Sequence, residues 1–243
     1  CSSDLKNLVI LTGAGVSAES GISTFRDNGG LWDKFDPQEV ASIEGWHKNP
    51  GLMLDFYNIR RKELETVRPN AAHLEIAALQ DKFNVHVITQ NVDNLHERAG
   101  SSNVLHLHGE LTKVRPENCC NEEDGFSEKS VFDIGYGEIH LGDKAPNGHQ
   151  LRPHIVWFGE PVPKIERAID IVSEADILLI VGTSLSVYPA AGLYRYAPLD
   201  IPIFIIDPED LKVRDKRLRH IREKATAGME VFEKEIRNIN DSQ

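Results

Sequence analysis

The chain has 243 residues, 40% of them hydrophobic and 27% charged, enough to bury one substantial core, and one domain is the default reading. A formal net charge of -11 excludes broad electrostatic capture of nucleic acid, which demands a basic stripe. No apolar run approaches the roughly 18 residues that span a bilayer and no charged-then-apolar signal segment opens the chain, so a cytoplasmic protein without membrane contact is expected.

The first element is the apolar run LVILTGAG over 8–15, read as a strand buried on both faces. It runs into Gly13-Ala14-Gly15-Val16-Ser17-Ala18, which fits G-x-G-x-x-A. In that spacing one glycine turns the chain, the second lets backbone approach a pyrophosphate, and the small third position packs closely. A tight strand-to-helix turn without a ligand satisfies the same residues. Residues 19–70 then interrupt the first crossover with SGISTFRDNGGLW and a helix over 50–67. A dehydrogenase-type site would place an acid about 20 residues on, at the end of a second strand; here the chain reads Trp32-Asp33-Lys34. On the helix Tyr57 and Arg60 are three apart and share a face. Guanidinium and phenol together suit a carboxylate, although an ordinary exposed face, with Arg61 and Lys62 alongside, explains them equally well.

A second helix is expected over 70–83, followed by the strand VHVITQNVD over 85–93. Next, NVDNLHERAG opens with Asx residues and closes with Gly, the pattern of a capped helix. VLHLHGEL offers two imidazoles, His106 and His108, which alternation sets on one strand face. Either suits a general base near neutral pH, and Gly109 permits close backbone approach beside His108. Residues 110–151 read as an inserted small lobe packed through Phe126, Val131, Phe132, Ile134, Tyr136 and Ile139. IVWFGE over 155–160 reads as a short strand with a glycine stop, then come a helix over 163–175 and the strands ILLIVGTS (177–184) and IPIFIID (201–207).

This alternation implies an α/β fold, a doubly wound parallel sheet with a smaller inserted lobe. Ligands of such sheets bind beyond the carboxyl ends of the strands, where Gly-Ala-Gly, Gln-Asn-Val-Asp, Gly-Thr-Ser and Asp207 gather. Asp207 suits a pair of ribose hydroxyls, or simply caps a turn.

In that order, GAGVSAESGISTFR, TQNVDNLH, HGEL, VWFGE and GTSLSVYPA resemble the signature blocks of the sirtuins, NAD-dependent protein lysine deacylases, over nearly the whole chain. The resemblance implies a large Rossmann-like lobe, a small lobe, and NAD consumed between them. It implies that Gly13, Ala14, Gly15, Ser17, Ala18 and Glu19 surround the NAD phosphates and ribose, and that Phe25, Arg26 and Trp32 form a loop ordering over it. Gln90, Asn91 and Asp93 would line the nicotinamide side, with Gly182, Thr183, Ser184, Asp207 and Ala225 on the adenosine side. His108 matches the catalytic His-Gly, with Asn91 positioning water or ribose. The acyl oxygen of a modified lysine would attack the nicotinamide ribose, nicotinamide would leave, and His108 would help deprotonate a ribose hydroxyl. The products would be free lysine, nicotinamide and O-acyl-ADP-ribose.

Val156, Trp157, Phe158 and Gly159 would frame the lysine tunnel and pair with acylated substrate proteins or peptides. Tyr57 and Arg60 resemble the Tyr-x-x-Arg feature of the branch that removes succinyl, malonyl or glutaryl groups, which favours acidic acyl chains over acetyl. Typical relatives hold zinc with four cysteines in two CxxC pairs. This chain offers only Cys119-Cys120 in the small lobe, so no zinc is expected. Three other readings stand beside this one: a protein mono-ADP-ribosyltransferase, a hydride-transfer dehydrogenase and a non-catalytic acyl-lysine reader.

Overall fold

The computed structural model describes residues 5–22, 35–118, 128–210 and 215–240. In chain order it contains β1 (Asn7–Thr12), α1 (Ala14–Ala18), α2 (Pro37–Val40), α3 (Ile43–Lys48), α4 (Pro50–Thr66), α5 (Ala71–Ala78), β2 (Asn84–Thr89), α6 (Leu95–Ala99) and β3 (Val104–His106). There follow β4 (Gly109–Pro116), β5 (Phe132–Asp133), β6 (Leu151–Ile155), α7 (Ile165–Ser173), β7 (Ile177–Val181), β8 (Ile203–Ile206), β9 (Leu218–Ile221) and α8 (Ala225–Asn240).

Six parallel strands form the main sheet in the order β3-β2-β1-β7-β8-β9, and β5-β4-β6 make a small antiparallel sheet. The fold is thus the expected doubly wound α/β arrangement with a smaller sheet beside it. Strand alternation divides β1 between two cores. Leu8 and Ile10 enter the layer under α5 and α8, while Val9 and Leu11 enter the layer under α7. Both sets are essentially inaccessible, as a parallel strand covered on both faces requires.

The apolar runs stop as strands at Thr12, Thr89, Val181 and Ile206, leaving their polar continuations as loops at one end of the sheet. Helix starts follow local chemistry. Asn49 accepts from Leu52 N–H at 3.1 Å ahead of Pro50, and Asn70 accepts from Ala72 N–H at 2.9 Å.

A third core joins α3 and α4 to the small sheet through Trp46, Met53, Phe56, Tyr57, Leu111, Val114 and Trp157. Two expectations need correction here. Phe132 is 36% exposed on β5, which among the described residues pairs with β4 alone, whereas Ile139 is buried and Val131, Ile134 and Tyr136 are half-buried. Phe126 lies outside the described residues. The 155–160 segment is also not a strand beyond Ile155. After Val156 N–H meets the His108 carbonyl (2.9 Å), Phe158 crosses to α3, its N–H on the Ala41 carbonyl (2.8 Å) and its carbonyl accepting from Ile43 N–H (3.0 Å).

Candidate active site

The winding direction of the main sheet reverses between β1 and β7, and the crevice beyond their carboxyl ends is where open α/β sheets bind ligands. Backbone builds it first. Gly13 N–H donates to the Val181 carbonyl (3.0 Å) and Gly15 N–H to the Gly182 carbonyl (2.9 Å). A Cβ on Gly15 would fall 2.6 Å from the Gly182 Cα, and Gly182 holds φ +63°, so side chains at either position would force the two strand ends apart.

Side chains tie in the end of β2. Gln90 Nε2 donates to Thr183 Oγ1 at 3.1 Å. Asn91 Nδ2 donates to the Gly13 carbonyl (3.2 Å) and to Ser17 Oγ (3.1 Å). A carbonyl only accepts, so the amide nitrogen must face Gly13 and Oδ1 is left as the acceptor that Asn91 offers to a ligand. Ser17 gives its own proton to Asp93 Oδ2 at 2.9 Å, and Asp93 Oδ1 accepts from Leu95 N–H at 3.0 Å. Asp93 therefore caps α6 and belongs to the crevice at once.

Sequence reasoning missed two imidazoles behind this network. His73 Nδ1 accepts from Asn70 N–H (3.3 Å), which leaves Nε2–H for Ser17 Oγ (3.3 Å). His96 Nε2 lies 3.0 Å from Thr12 Oγ1, and its ring meets that of His73 edge-on with centroids 4.9 Å apart. Burial lowers the pKa of both, so both are neutral at physiological pH. A histidine on the buried face of a helix is the only signal the sequence carried for them.

The two candidate bases separate clearly. Leu107 N–H still follows the ladder to the Thr89 carbonyl (2.9 Å), but Gly109 then takes φ +85°, where a Cβ would lie 2.0 Å from the His154 carbonyl oxygen. His106 closes β3 and His108 lies just beyond it, and what distinguishes the two rings is their hydrogen-bond partners. His108 Nδ1 is 3.0 Å from the Gln90 carbonyl, an acceptor, so Nδ1 carries the proton and Nε2 keeps its lone pair. Burial pulls the His108 pKa below 6.5, partly offset by that hydrogen bond, and the base form dominates at neutral pH. His106, 4% exposed, has acceptors at both nitrogens: the Asn91 carbonyl (3.0 Å) and Glu97 Oε1 (2.7 Å). A ring so placed has no lone pair to offer.

On α4, Tyr57 is 1% exposed and its hydroxyl accepts from Trp157 Nε1 at 2.9 Å, keeping a proton to donate. Burial raises its pKa, so it stays a phenol. The Arg60 guanidinium lies 5.9 Å from the Tyr57 ring centre and feels the charge of Asp93, although burial is the stronger influence and lowers its pKa. The structure thus brings Tyr57, Arg60 and Trp157 together, with Arg60 near enough to Asp93 to feel its charge. Arg61 is not the ordinary surface cation that its neighbourhood suggested. It is fully buried, donating to the Gly137 carbonyl at 2.8 Å and to Asn58 Oδ1, with its pKa lowered to about 10 mainly by burial.

Arg152 packs on the face of Trp157, its guanidinium 3.4 Å from the ring centre. Arg152 pairs with Glu160 at 2.7 and 2.9 Å, and Glu160 also accepts from Trp157 N–H at 2.9 Å. Burial alone would raise the Glu160 pKa, but Arg152 overcomes it and the carboxyl stays ionised. This buried brace was also missed, though Glu160 closes the quoted VWFGE block. Val156 is half-buried, while Phe158 (50% exposed) and Gly159 reach the surface.

The remaining candidates divide. Ser184 Oγ shares a 2.6 Å hydrogen bond with Ser186 beyond Thr183. Asp207 ends β8, with Oδ1 accepting from Glu209 N–H at 2.9 Å, the turn-capping arrangement. Ala225 begins α8 and is buried, and Ala18 is exposed. Glu19 is directed to α8 instead of the crevice, both carboxylate oxygens being taken by Thr226 N–H (3.0 Å) and Oγ1 (2.8 Å). Phe25, Arg26 and Trp32, with Cys119 and Cys120, lie outside the described residues.

The glycine-lined junction of β1 and β7, the neutral amides and hydroxyls of Gln90, Asn91 and Thr183, and the Asp207 carboxylate at the next strand end fit the phosphates, carboxamide and ribose hydroxyls of a dinucleotide. Among the described residues, no three His, Cys, Asp or Glu side chains cluster tightly enough to hold a metal ion, and no helix is long and apolar enough to cross a membrane.

Comparison with known proteins agrees with this geometry. The model of the Sir2 family matches residues 13–189. An NAD-dependent protein deacylase of Bacteroides thetaiotaomicron is 54% identical over 229 residues, 93% of this chain and 96% of its own length. Another, from Helicobacter pylori, is 51% identical over 227 residues, 93% of each chain. The solved structure of a Sir2 homologue in complex with NAD is similar at a TM-score of 0.83 and 38% identity, over 97% of this chain and 91% of that one. The chain belongs to the Sir2 family.

Proposed function

We propose that this chain is an NAD-dependent protein lysine deacylase, with His108 as general base and acylated lysine side chains as substrates. The observation that carries the reading is the His108 tautomer: Nδ1–H is anchored on the Gln90 carbonyl at 3.0 Å, which leaves Nε2 as the proton acceptor at the mouth of a dinucleotide crevice. NAD supplies the ribose–nicotinamide bond whose rupture gives the acyl oxygen an electrophilic carbon. The protein's part is to place groups around that event. Gly13, Gly15 and Gly182 let backbone approach the phosphates, and Asn91 Oδ1 accepts a hydrogen bond from water or a ribose hydroxyl. His108 Nε2 takes up the proton of a ribose hydroxyl as it attacks the acyl carbon, the lysine amine leaves from that carbon, and one water adds to complete the ester. Lysine, nicotinamide and O-acyl-ADP-ribose are the products.

The acyl preference follows from α4. Arg60 and the Tyr57 hydroxyl offer a charge-assisted and a neutral hydrogen bond in a buried setting, which suits succinyl or malonyl chains better than acetyl. Trp157, held by Tyr57 and Arg152, walls the lysine tunnel, and Val156, Phe158 and Gly159 lie along its mouth. Formation of free lysine peptide and O-acyl-ADP-ribose from succinyl-lysine peptide and NAD tests the proposal: multiple turnover should fall by roughly 100-fold or more in His108→Ala. ADP-ribose transferred covalently to protein, with the acyl group left in place, would instead mark a mono-ADP-ribosyltransferase.

A further inference from the structure

His106 takes no part in the chemistry just described, yet it is buried two residues from the base and touches the same turn. Gln90 and Asn91 form that turn at the end of β2. The Gln90 carbonyl takes His108 Nδ1–H, and the next carbonyl, that of Asn91, takes His106 Nδ1–H, each at 3.0 Å. The opposite nitrogen of His106 reaches Glu97 Oε1 on α6 at 2.7 Å. Neither oxygen can donate while Glu97 is ionised, so satisfying both contacts requires two N–H groups, and the ring is an imidazolium. We infer that the Glu97–His106 ion pair is a positioning device: it ties the Asn91 carbonyl to Glu97 on α6 only while His106 is charged, and its loss of a proton sets the alkaline limit of turnover.

The clamp acts through a short chain of atoms. With its backbone carbonyl held, Asn91 keeps its side chain on Gly13 and Ser17 and its Oδ1 free for the ligand. The neighbouring Gln90 carbonyl keeps the His108 ring in the tautomer that leaves Nε2 basic. A neutral His106 has one N–H for two acceptors, so either Glu97, whose side chain is 40% exposed, or the Asn91 carbonyl loses its donor, and the loss of the latter loosens the turn.

The surroundings favour the charged form. Burial works against it, but Glu97 opposes burial and Glu110 on β4 adds to the effect, so the His106 pKa lies above 6.5. Lys113 is paired with Glu110 at 2.8 Å, which tempers that carboxylate. His96 on α6, also facing His106, is neutral and adds no charge. His106 therefore titrates above its ordinary value while His108 titrates below it, and two imidazoles on one turn bound the active pH range from opposite sides.

This rests on the deacylase reading, and the experiment separates the two. The pH dependence of kcat/KM for nicotinamide release is measured for the wild type, Glu97→Gln and His106→Gln, alongside a nitrogen NMR titration of the His106 ring in the wild type and Glu97→Gln. Removing the carboxylate should move the alkaline limb down by about one pH unit or more. The His106 ring titration should move by the same amount, and the acid limb, which belongs to His108, should stay in place. His106→Gln, with a single donor for Asn91, should lose that limb altogether. A His106 ring that is neutral at pH 7 in the folded wild type overturns the inference, and so does an alkaline limb that Glu97→Gln does not move. Should no nicotinamide be released from any acyl peptide, the deacylase reading fails. The ring titration, followed together with the Asn91 side-chain amide signal, then decides on the clamp alone: a common midpoint supports it, and an Asn91 signal indifferent to His106 overturns it.

Discussion

In the proposed mechanism the proton removed from the substrate arrives at Nε2 of His108, because Nδ1 already spends its hydrogen on the Gln90 carbonyl. Replacing His108 by Ala should lower kcat by roughly 100-fold or more, the usual worth of a placed general base, while NAD binding by calorimetry stays nearly unchanged. Since burial lowers the His108 pKa, activity is present above that pKa and falls as pH drops through it, so the acid limb of the rate profile should lie below 6.5. Arg60 makes a different prediction. In Arg60→Met the loss of a charge-assisted hydrogen bond should reduce desuccinylation about 10- to 100-fold and deacetylation far less. Equal losses on both peptides, measured as kcat/KM, would remove the case for acidic-acyl selection.

At the level of elements, position 109 opens β4 immediately after His108 and sets how closely the β6 backbone approaches. Gly109 combines φ +85° with the His154 carbonyl in the space of a Cβ. Gly109→Ala should therefore lower the unfolding free energy by about 2 kcal/mol or more in urea titration and displace the base, so that activity falls further than stability alone explains. Much of the architecture is legible in the sequence because β1, β2, β7 and β8 are covered on both faces and must read as apolar runs. The edge strand β9 is not, since Leu218–Ile221 carries Arg219 and His220 and looks like surface. Nor can alternation see the break between β3 and β4, where apolar and polar residues keep their period although the two strands belong to different sheets. Arg61, beside the Arg60 that the helix spacing singles out, was opaque. What buries Arg61 is the Gly137 carbonyl, 76 residues away in sequence, and no local pattern announces such a partner. The Arg152–Glu160 brace is hidden for a similar reason: an ion pair eight residues apart gains its meaning from the tryptophan it holds.

For the whole molecule, the crevice lies where the main sheet changes winding direction, and the third core sets α4 and the small sheet beside it. A ligand joining β1, β2 and β7 should stabilise the folded state as a unit, and NAD at about 100 times its dissociation constant should add about 2.7 kcal/mol, read as a rise in Tm. The small lobe should need no zinc, so exhaustive dialysis against a chelator should leave Tm and activity unchanged; stoichiometric zinc that survives dialysis would reverse that expectation. One measurement bears on the central claim most directly: mass analysis of every product after the protein meets NAD with matched acetyl-, malonyl- and succinyl-lysine peptides. The account predicts nicotinamide, free lysine peptide and O-acyl-ADP-ribose in equal amounts, fastest from an acidic acyl chain. Intact NAD beside intact peptide, when the folded protein demonstrably binds both, would contradict it.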